Sequence, residues 1–328
     1  MMEHEVPVVP GSKGLLRTAE EAAELAKEIG YPVLLKASAG GGGKGMRRAY
    51  NEEEIYQAFE TAQAEAFASF DNDDMYMEKL IENPHHIEFQ IIADKKGNIV
   101  YLPERECSIQ KNNQKMLEES PANRLEETLR EEMGQVAVRA AKAAGYYSAG
   151  TIEFVMDDHK NYYFIEMNTR IQVEHPVTEE VADIDLIREQ IRIAAGLKLS
   201  ITQEDVKVQK HAIECRINAL TPGVITSLHF PNGYGVRIES HIYEGYEISP
   251  YYDSMIAKII VTGKTRLETI RRLRRALEEI IIEGVKTNFE FMHLLTYHKD
   301  FIKGDYNTGF YAKNHATIEQ WLEEGMNI

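Results

Sequence analysis

Residues 166–177 read Glu-Met-Asn-Thr-Arg-Ile-Gln-Val-Glu-His-Pro-Val. Between Glu166 and Glu174 the chain carries two carboxylates, two amides and a guanidinium. The stretch follows an apolar, strand-like run from Tyr162 to Ile165. A strand that ends in so many hydrogen-bonding groups delivers them to a site rather than to a core. Glu166 and Asn168 suit a hard cation, which takes oxygen ligands. Arg170 suits a planar anion, which a guanidinium grips with two parallel bonds. Glu174 is a further carboxylate in the same loop and a candidate base.

Working outward, Glu153 lies on the run Thr151 to Met156, joined to Asn161–Ile165 through Asp157-Asp158-His159-Lys160. The two runs read as a hairpin whose register sets Glu153 roughly opposite Glu166. Like charges across a strand pair are destabilising, and a divalent cation between them removes that penalty. Asn168 points to the same face and is a third oxygen ligand. Mg²⁺ takes few protein carboxylates and completes its shell with water and phosphate oxygens, so the pattern fits a metal–nucleotide site.

Lys36 ends a short apolar run and precedes Ala39-Gly40-Gly41-Gly42-Gly43-Lys44-Gly45. Glycines without side chains let backbone N–H groups approach a phosphate. Met46 follows Gly45 where a P-loop needs Ser or Thr, and residues 46–50 look extended, so neither the P-loop nor the dinucleotide fingerprint fits. A hairpin closing over phosphates fits better. Met77-Glu78-Lys79-Leu80-Ile81, linking two lobes, suits a nucleotide base whose edge is read by a strand's backbone. Gln110-Lys111-Asn112-Asn113-Gln114-Lys115 is a loop-like run able to line an anion pocket. Arg237 would have to fold back to meet Arg170. Two guanidiniums on one site would then hold a doubly stabilised anion.

The first lobe alternates a helix over 18–29, a strand over 31–37, a strand over 46–50, a helix over 52–70 and a strand over 74–81. The second has strands over 87–93 and 99–102 and a helix over 125–144. The 151–165 hairpin follows, then a helix over 185–195 and strands over 211–218, 224–230, 235–240 and 255–261. The last element is a helix over 265–282, whose Arg271, Arg272, Arg274 and Arg275 form a solvated face above an Ile/Leu stripe.

Composition bounds the class. The 328 residues are 43% hydrophobic and 27% charged, ordinary for a soluble globular protein. A net charge of −16 argues against nucleic acid or a membrane surface as partner. Two cysteines, Cys107 and Cys215, make neither a disulfide framework nor a zinc site and fit a reducing, cytoplasmic setting. No apolar run is long enough for a transmembrane helix, and no signal peptide is expected at the N-terminus.

The whole pattern resembles the biotin carboxylase component of biotin-dependent carboxylases, such as acetyl-CoA carboxylase. The resemblance rests on residues 29–37, the Gly40–Gly45 loop, Met77-Glu78-Lys79, Glu104-Arg105-Glu106-Cys107-Ser108, Ala149-Gly150-Thr151, residues 164–178 and Pro250-Tyr251-Tyr252-Asp253-Ser254-Met255, in the family's order. It implies an α+β ATP-grasp fold: a remnant over 1–7, a lid lobe over 8–80, and a central lobe with the carboxylase C-terminal region over 81–328. It implies that Lys36, Gly41, Gly42, Gly43, Gly45 and Met46 hold ATP phosphates. Glu78, Lys79 and Ile81 would meet adenine, and His86, Gln110 and Ile165 would lie near the nucleotide. Glu153, Glu166 and Asn168 would hold two Mg²⁺ or Mn²⁺ ions. Lys115, Arg170, Gln172, Val173 and Glu174 would hold bicarbonate, with Glu174 as base, and Arg237 would stabilise the biotin enolate.

The implied partners are a biotin carboxyl carrier protein and a carboxyltransferase, in a setting of fatty acid biosynthesis, and a homodimer is one assembly open to it. The pattern departs from the family in three places. The family's N-terminal Rossmann-like domain is expected to be missing, Asn113 stands where many members have His or an apolar residue, and the connection over 219–223 is short. An ATP-binding remnant without turnover, or another ATP-grasp carboxylate–amine ligase, are the competing expectations.

Overall fold

The computed structural model describes residues 1–39 and 45–325, the side chain of residue 2 excepted. The chain divides into two compact units, Pro7–Glu82 and Met1–Val6 with Asn83–Ile328.

In the smaller unit, α1 (Ala19–Ile29) starts where Thr18 Oγ1 accepts the Glu21 N–H at 3.2 Å and stops at Gly30, whose φ is 82°. A three-stranded antiparallel sheet sets β1 (Val33–Ala37) between β2 (Met46–Ala49) and β3 (Met75–Lys79), and α2 (Glu52–Phe70) packs on it. Alternation decides the faces. Val33, Leu35, Ala37, Met75 and Met77 bury against Ala22, Ala26, Phe59 and Ala62 of the helices. Leu34, Lys36, Tyr76 and Glu78 lie on the other, partly open face.

The larger unit runs β4 (His85–Ala93), β5 (Ile99–Tyr101), β6 (Arg105–Lys111), β7 (Gln114–Ser120), α3 (Glu127–Ala143), β8 (Ser148–Met156) and β9 (Tyr162–Asn168). Then come α4 (His175–Ala182), α5 (Leu186–Ala194), β10 (His211–Asn218), β11 (Gly223–Val224), β12 (Ser227–His229), β13 (Val236–Ser240), β14 (Glu247–Ile248) and β15 (Met255–Gly263). It closes with α6 (Arg266–Glu278), β16 (Ile281–Glu283), α7 (Phe289–Leu295), α8 (Lys299–Lys303) and α9 (Phe310–Glu323). Among the described residues the main sheet is nine-stranded and antiparallel, ordered β13-β15-β10-β7-β6-β4-β8-β9 with β5 on β4. At one end Ile87, Phe89, Ile152 and Phe154 pack on Met133, Val136 and Ala137 of α3. At the other, Ile213, Ile217, Ile259 and Val261 pack on Ile270 and Leu273 of α6. Phe154 meets Phe89, Tyr162 and Phe164 edge-on at 5.7–6.5 Å; burying one such ring contributes about 1.5–3 kcal/mol.

Several expectations change. Residues 105–120 form the β6–β7 hairpin rather than a loop around 110–115. Asn112 and Asn113 supply its two positive φ values, 52° and 63°, the requirement of a tight hairpin turn. The strand expected to end at Ile165 continues to Asn168, so Glu166 and Asn168 stand on β9 itself. Residues 175–182, to which the sequence reading assigns no element, form a helix. The last expected helix ends at Glu278, because Ile281–Glu283 pairs with β12, and 224–230 is two short strands rather than one. Within β8–β9, Glu153 faces Glu166 but Phe154 faces Phe164, leaving Ile165 as one extra, unmatched residue, a β-bulge.

Candidate functional site

The larger unit holds a cavity of about 600 Å³. The sequence-predicted residues His86, Lys115, Glu153, Glu166, Asn168, Arg170, Gln172, Val173 and Glu174 all line it. The strands explain the convergence. β8 and β9 place Glu153 and Glu166 opposite each other, as the hairpin register predicts. Asn168 donates Nδ2–H to Glu153 Oε1 at 2.9 Å and to Glu166 Oε1 at 3.1 Å. Turning this amide by half a rotation presents Oδ1 instead, giving the all-oxygen donor set that a hard cation needs. His86, Glu88 and Glu153 also offer donor atoms within 4.8 Å of one another.

Glu174 caps the start of α4, followed by Pro176 in its first turn. It is buried and clamped from both sides. Lys115 Nζ donates to Oε1 at 2.6 Å and Arg216 Nη2 to Oε2 at 3.0 Å. Lys115 also donates to Glu88 at 2.5 Å and to Glu153 at 3.2 Å. Burial disfavours the Lys115 charge, but Glu88 and the other carboxylates overcome it and hold its pKa far above the usual value. Burial likewise penalises ionised Glu88, yet Arg105 and Lys115 bring it down to about 2. For Glu153 burial is again opposed, first by the His86 hydrogen bond, and the carboxyl stays well below its ordinary range. Glu88 and Glu153 therefore meet a ligand as anions at neutral pH.

Arg105 stands behind the site, fully buried. It donates to Glu88 Oε1 at 2.5 Å, Gln90 Oε1 at 3.0 Å, Thr178 Oγ1 at 3.0 Å, Thr151 Oγ1 at 3.1 Å and Gln172 Oε1 at 2.8 Å. This orients the Gln172 amide so that its Nε2–H reaches Glu153 at 2.6 Å. Val173 contributes its carbonyl to Lys258 Nζ at 2.8 Å. Arg170 is exposed at the cavity and, among the described residues, makes no ion pair. Its contact is a hydrogen bond to Ile171 O at 3.3 Å, so its charge is available to an anion.

Three predicted residues of the larger unit, Gln110, Arg237 and Ile165, lie off the cavity wall. Gln110 donates to Cys107 O at 2.8 Å and lies 3.0 Å from His86 Nδ1, beside the wall rather than on it. Arg237 does not converge with Arg170. Glu179 at 2.9 Å, Glu180 at 3.5 Å and Glu239 hold its guanidinium. The guanidinium sharing the cavity with Arg170 is Arg216, which the sequence analysis missed together with Glu88, Arg105 and Lys258. The signal was present: His86, Glu88 and Gln90, then Glu214 and Arg216, put polar groups at alternate positions of otherwise apolar strands. Ile165 is the bulge residue of β9.

In the smaller unit Lys36 pairs with Glu78 across the open face of the sheet, and Lys36 lies opposite Met46. Lys79 turns to the carbonyls of Gly30 (2.9 Å) and Tyr31 (2.7 Å), away from that face. Gly45 places its N–H on Glu65 at 3.0 Å, and a Cβ there would come within 2.7 Å of the Ala37 methyl. Ile81 is partly buried. Gly41, Gly42 and Gly43 lie outside the described residues.

Comparison with known proteins agrees with this geometry. Residues 1–202 match the family model for the carbamoyl-phosphate synthase L chain ATP-binding domain, and residues 214–313 match that for the biotin carboxylase C-terminal domain. Biotin carboxylase 1 of Bacillus subtilis is 53% identical over 319 residues, covering 94% of this chain and 71% of that protein. Among solved structures, one neighbour is the Hydrogenobacter thermophilus 2-oxoglutarate carboxylase biotin carboxylase domain dimer, in complex with MgADP, ADP and bicarbonate. It superposes with a TM-score of 0.91 at 49% identity, over 97% of this chain and 72% of that one. A Campylobacter jejuni biotin carboxylase complex with β,γ-ATP gives 0.91 at 48%, over 95% and 71%. The chain belongs to the biotin carboxylase family of ATP-grasp ligases.

Proposed function

We propose that this cavity performs the first half-reaction of a biotin-dependent carboxylase: ATP, bicarbonate and carrier-bound biotin give ADP, phosphate and carboxybiotin. The observation that carries the reading is Glu174, a buried carboxylate clamped between Lys115 and Arg216 in a cavity that also presents the unpaired Arg170 and the facing pair Glu153 and Glu166. Arg170, with the Gln172 and Val173 segment, holds bicarbonate, and Glu174 takes its proton. The bicarbonate oxygen then attacks the γ-phosphorus of ATP, releasing ADP and forming carboxyphosphate. Carboxyphosphate splits to CO₂ and phosphate, and the phosphate takes the proton from biotin N1. The resulting enolate attacks CO₂. Glu153, Glu166 and Asn168 would hold Mg²⁺ or Mn²⁺, which neutralises phosphate charge when bound. Within the smaller unit, Lys36 is the candidate for ATP phosphates, and Glu78 and Ile81 are the candidates for its base.

Arg237, expected at the enolate, stands off the cavity wall: its partner Glu239 also binds Lys258 at 2.6 Å, and Lys258 reaches the Val173 carbonyl, so two residues separate Arg237 from that wall. Two buried, free thiols, Cys107 and Cys215, support a reducing, cytoplasmic setting. Among the described residues no helix is long and apolar enough to cross a membrane. A biotinyl carrier, a carboxyltransferase and a second copy of the chain are the partners that this reaction and the dimeric relative bring with them.

The test is ADP and carboxybiotin measured side by side, with and without bicarbonate. If Arg237 reaches the enolate once biotin is bound, Arg237→Gln cuts carboxybiotin formation by about 10²–10³-fold, the scale of losing one anion-stabilising donor. Bicarbonate-dependent ADP release should persist, because carboxyphosphate still forms and hydrolyses. Equal loss of both products would remove Arg237 from the enolate step. Glu166→Gln is expected to raise the Mg²⁺ concentration for half-maximal turnover by at least about 10–100-fold, with Tm in the absence of metal unchanged. An unchanged Mg²⁺ titration would take Glu166 out of the metal site.

A further inference from the structure

Between the cavity and the sheet lies a pair of acids that the reaction above does not use. Glu118 on β7 and Glu214 on β10 are direct partners across the antiparallel ladder, so their side chains share a face. That face is roofed by α4: Ala212, two residues from Glu214, packs with Val177, Val181 and Ile260. Ile260 is also the register partner of Glu214 on its other side. Both acids are fully buried. Glu118 Oε1 accepts from Arg216 Nε at 2.6 Å. Its other oxygen, and both oxygens of Glu214, have no hydrogen-bond partner among the described residues.

Two carboxylates directly opposed and fully buried, with three of four oxygens unsatisfied among the described residues, are unstable as a pair of anions. The surrounding charges are already committed. Arg216, on Glu214's own strand, is shared between Glu118 and Glu174. Lys258 from β15 binds Glu239 and the Val173 carbonyl. Lys115 from β7 binds Glu88, Glu153 and Glu174. From β6 comes the thiol of Cys107, which burial keeps protonated. At the start of α4 stand Glu174, held by Lys115 and Arg216, and His175, whose pKa burial lowers. A proton is what remains to neutralise the pair. Burial pushes Glu214 far above the ordinary carboxyl range, and pushes Glu118 up to about 7 against the pull of Arg216.

We propose that Glu118 and Glu214 hold one proton between them and, through Arg216, act as positioning residues for Glu174. The proposal rests on Glu174 being the base. With Glu118 ionised, the Arg216 guanidinium divides between two carboxylates, and the nearby negative charge favours proton uptake by Glu174. With Glu118 neutral, Arg216 turns wholly to Glu174 and holds it as an anion. The proton that Glu118 gains or loses is exchanged with solvent, so turnover consumes none from the pair.

Three measurements on the full chain test this. Infrared difference spectra at neutral pH should show a protonated carboxylic C=O band that Glu214→Gln removes; a spectrum unchanged by that substitution overturns the shared proton. The second is the pH dependence of Tm. A carboxyl whose folded pKa is raised binds a proton in the folded state that the unfolded chain has released. Stability is therefore lost as pH rises from the ordinary 4.5 through about 7 for Glu118. Tm should fall over that window, and Glu118→Gln should flatten the fall; an equal slope overturns the proposal.

The third is kcat/KM for bicarbonate at constant bicarbonate concentration. The wild type should rise through a limb near pH 7 that Glu118→Gln lacks, lying about tenfold below wild type on the alkaline side, the equivalent of one pKa unit. An unchanged limb overturns the coupling to Glu174. Full activity in Glu174→Gln would overturn the base assignment instead, and neither the infrared band nor the Tm slope depends on that result.

Discussion

Glu174→Gln is expected to lower bicarbonate-dependent ADP release and carboxybiotin formation together, by about 10²–10⁴-fold, the range a positioned base supplies. The substitution keeps the shape of the side chain and its place at the start of α4. It removes a buried carboxylate of the cavity that is held at both oxygens by cations, Lys115 and Arg216. Because proton removal precedes carboxyphosphate, both products should vanish in the same ratio, unlike the split expected for Arg237→Gln. ADP release and carboxybiotin assayed on one sample decide it, and a variant that still cleaves ATP in response to bicarbonate at wild-type rate would end the assignment.

Arg105→Ala should show the largest loss of stability, about 3–5 kcal/mol, the cost of leaving a buried ion pair with one partner missing. Glu88 would keep Lys115 but lose the guanidinium behind it, and Gln90, Thr151, Thr178 and Gln172 would each lose a donor in the same step. The measurement is urea-induced unfolding of wild type and variant. Neutralising the stranded acid as well, in Arg105→Ala with Glu88→Gln, should recover part of the loss, because an unpaired buried charge costs more than a missing hydrogen bond. A loss below about 1 kcal/mol would mean that water enters and replaces the guanidinium.

Much of the site was legible because its residues sit close together in the chain and alternate in a way that a core cannot use. Glu153, Glu166, Asn168, Arg170, Gln172 and Glu174 were all found, and all line the cavity. The opposed glutamates followed from hairpin register alone. The resemblance of the chain to biotin carboxylases carried the fold, and the family comparison agrees with it.

What could not be read was long-range. Arg216 reaches Glu174 only because β10 pairs with β7 across most of a sheet, a choice of neighbours that local periodicity does not encode. Arg105 was quoted as part of a motif but given no role, since burial of a guanidinium among five acceptors depends on strands far apart in sequence. Arg237 failed to meet Arg170 for the same reason in reverse: acids at 179, 180 and 239 reach it first. The β6–β7 hairpin was missed because its Asn112-Asn113 turn sits between polar flanks that look like loop.

Ile165, the unmatched residue of β9, has a consequence for how this site tolerates change. In an unbroken strand, residues 164 and 166 would face the same way. Here Phe164 packs with the aromatic cluster at Phe154 while Glu166 joins Glu153, and the intervening extra residue switches the parity between them. Position 165 is therefore the residue that the bulge takes out of the strand's alternation. Exchanging it for another β-branched residue should leave the frame intact. Straightening the bulge with residue 165 kept would turn either an aromatic ring outward or a carboxylate inward, whereas deleting it would leave 164 and 166 as neighbours that still face opposite ways, so this edge tolerates loss of the residue better than loss of the bulge it forms.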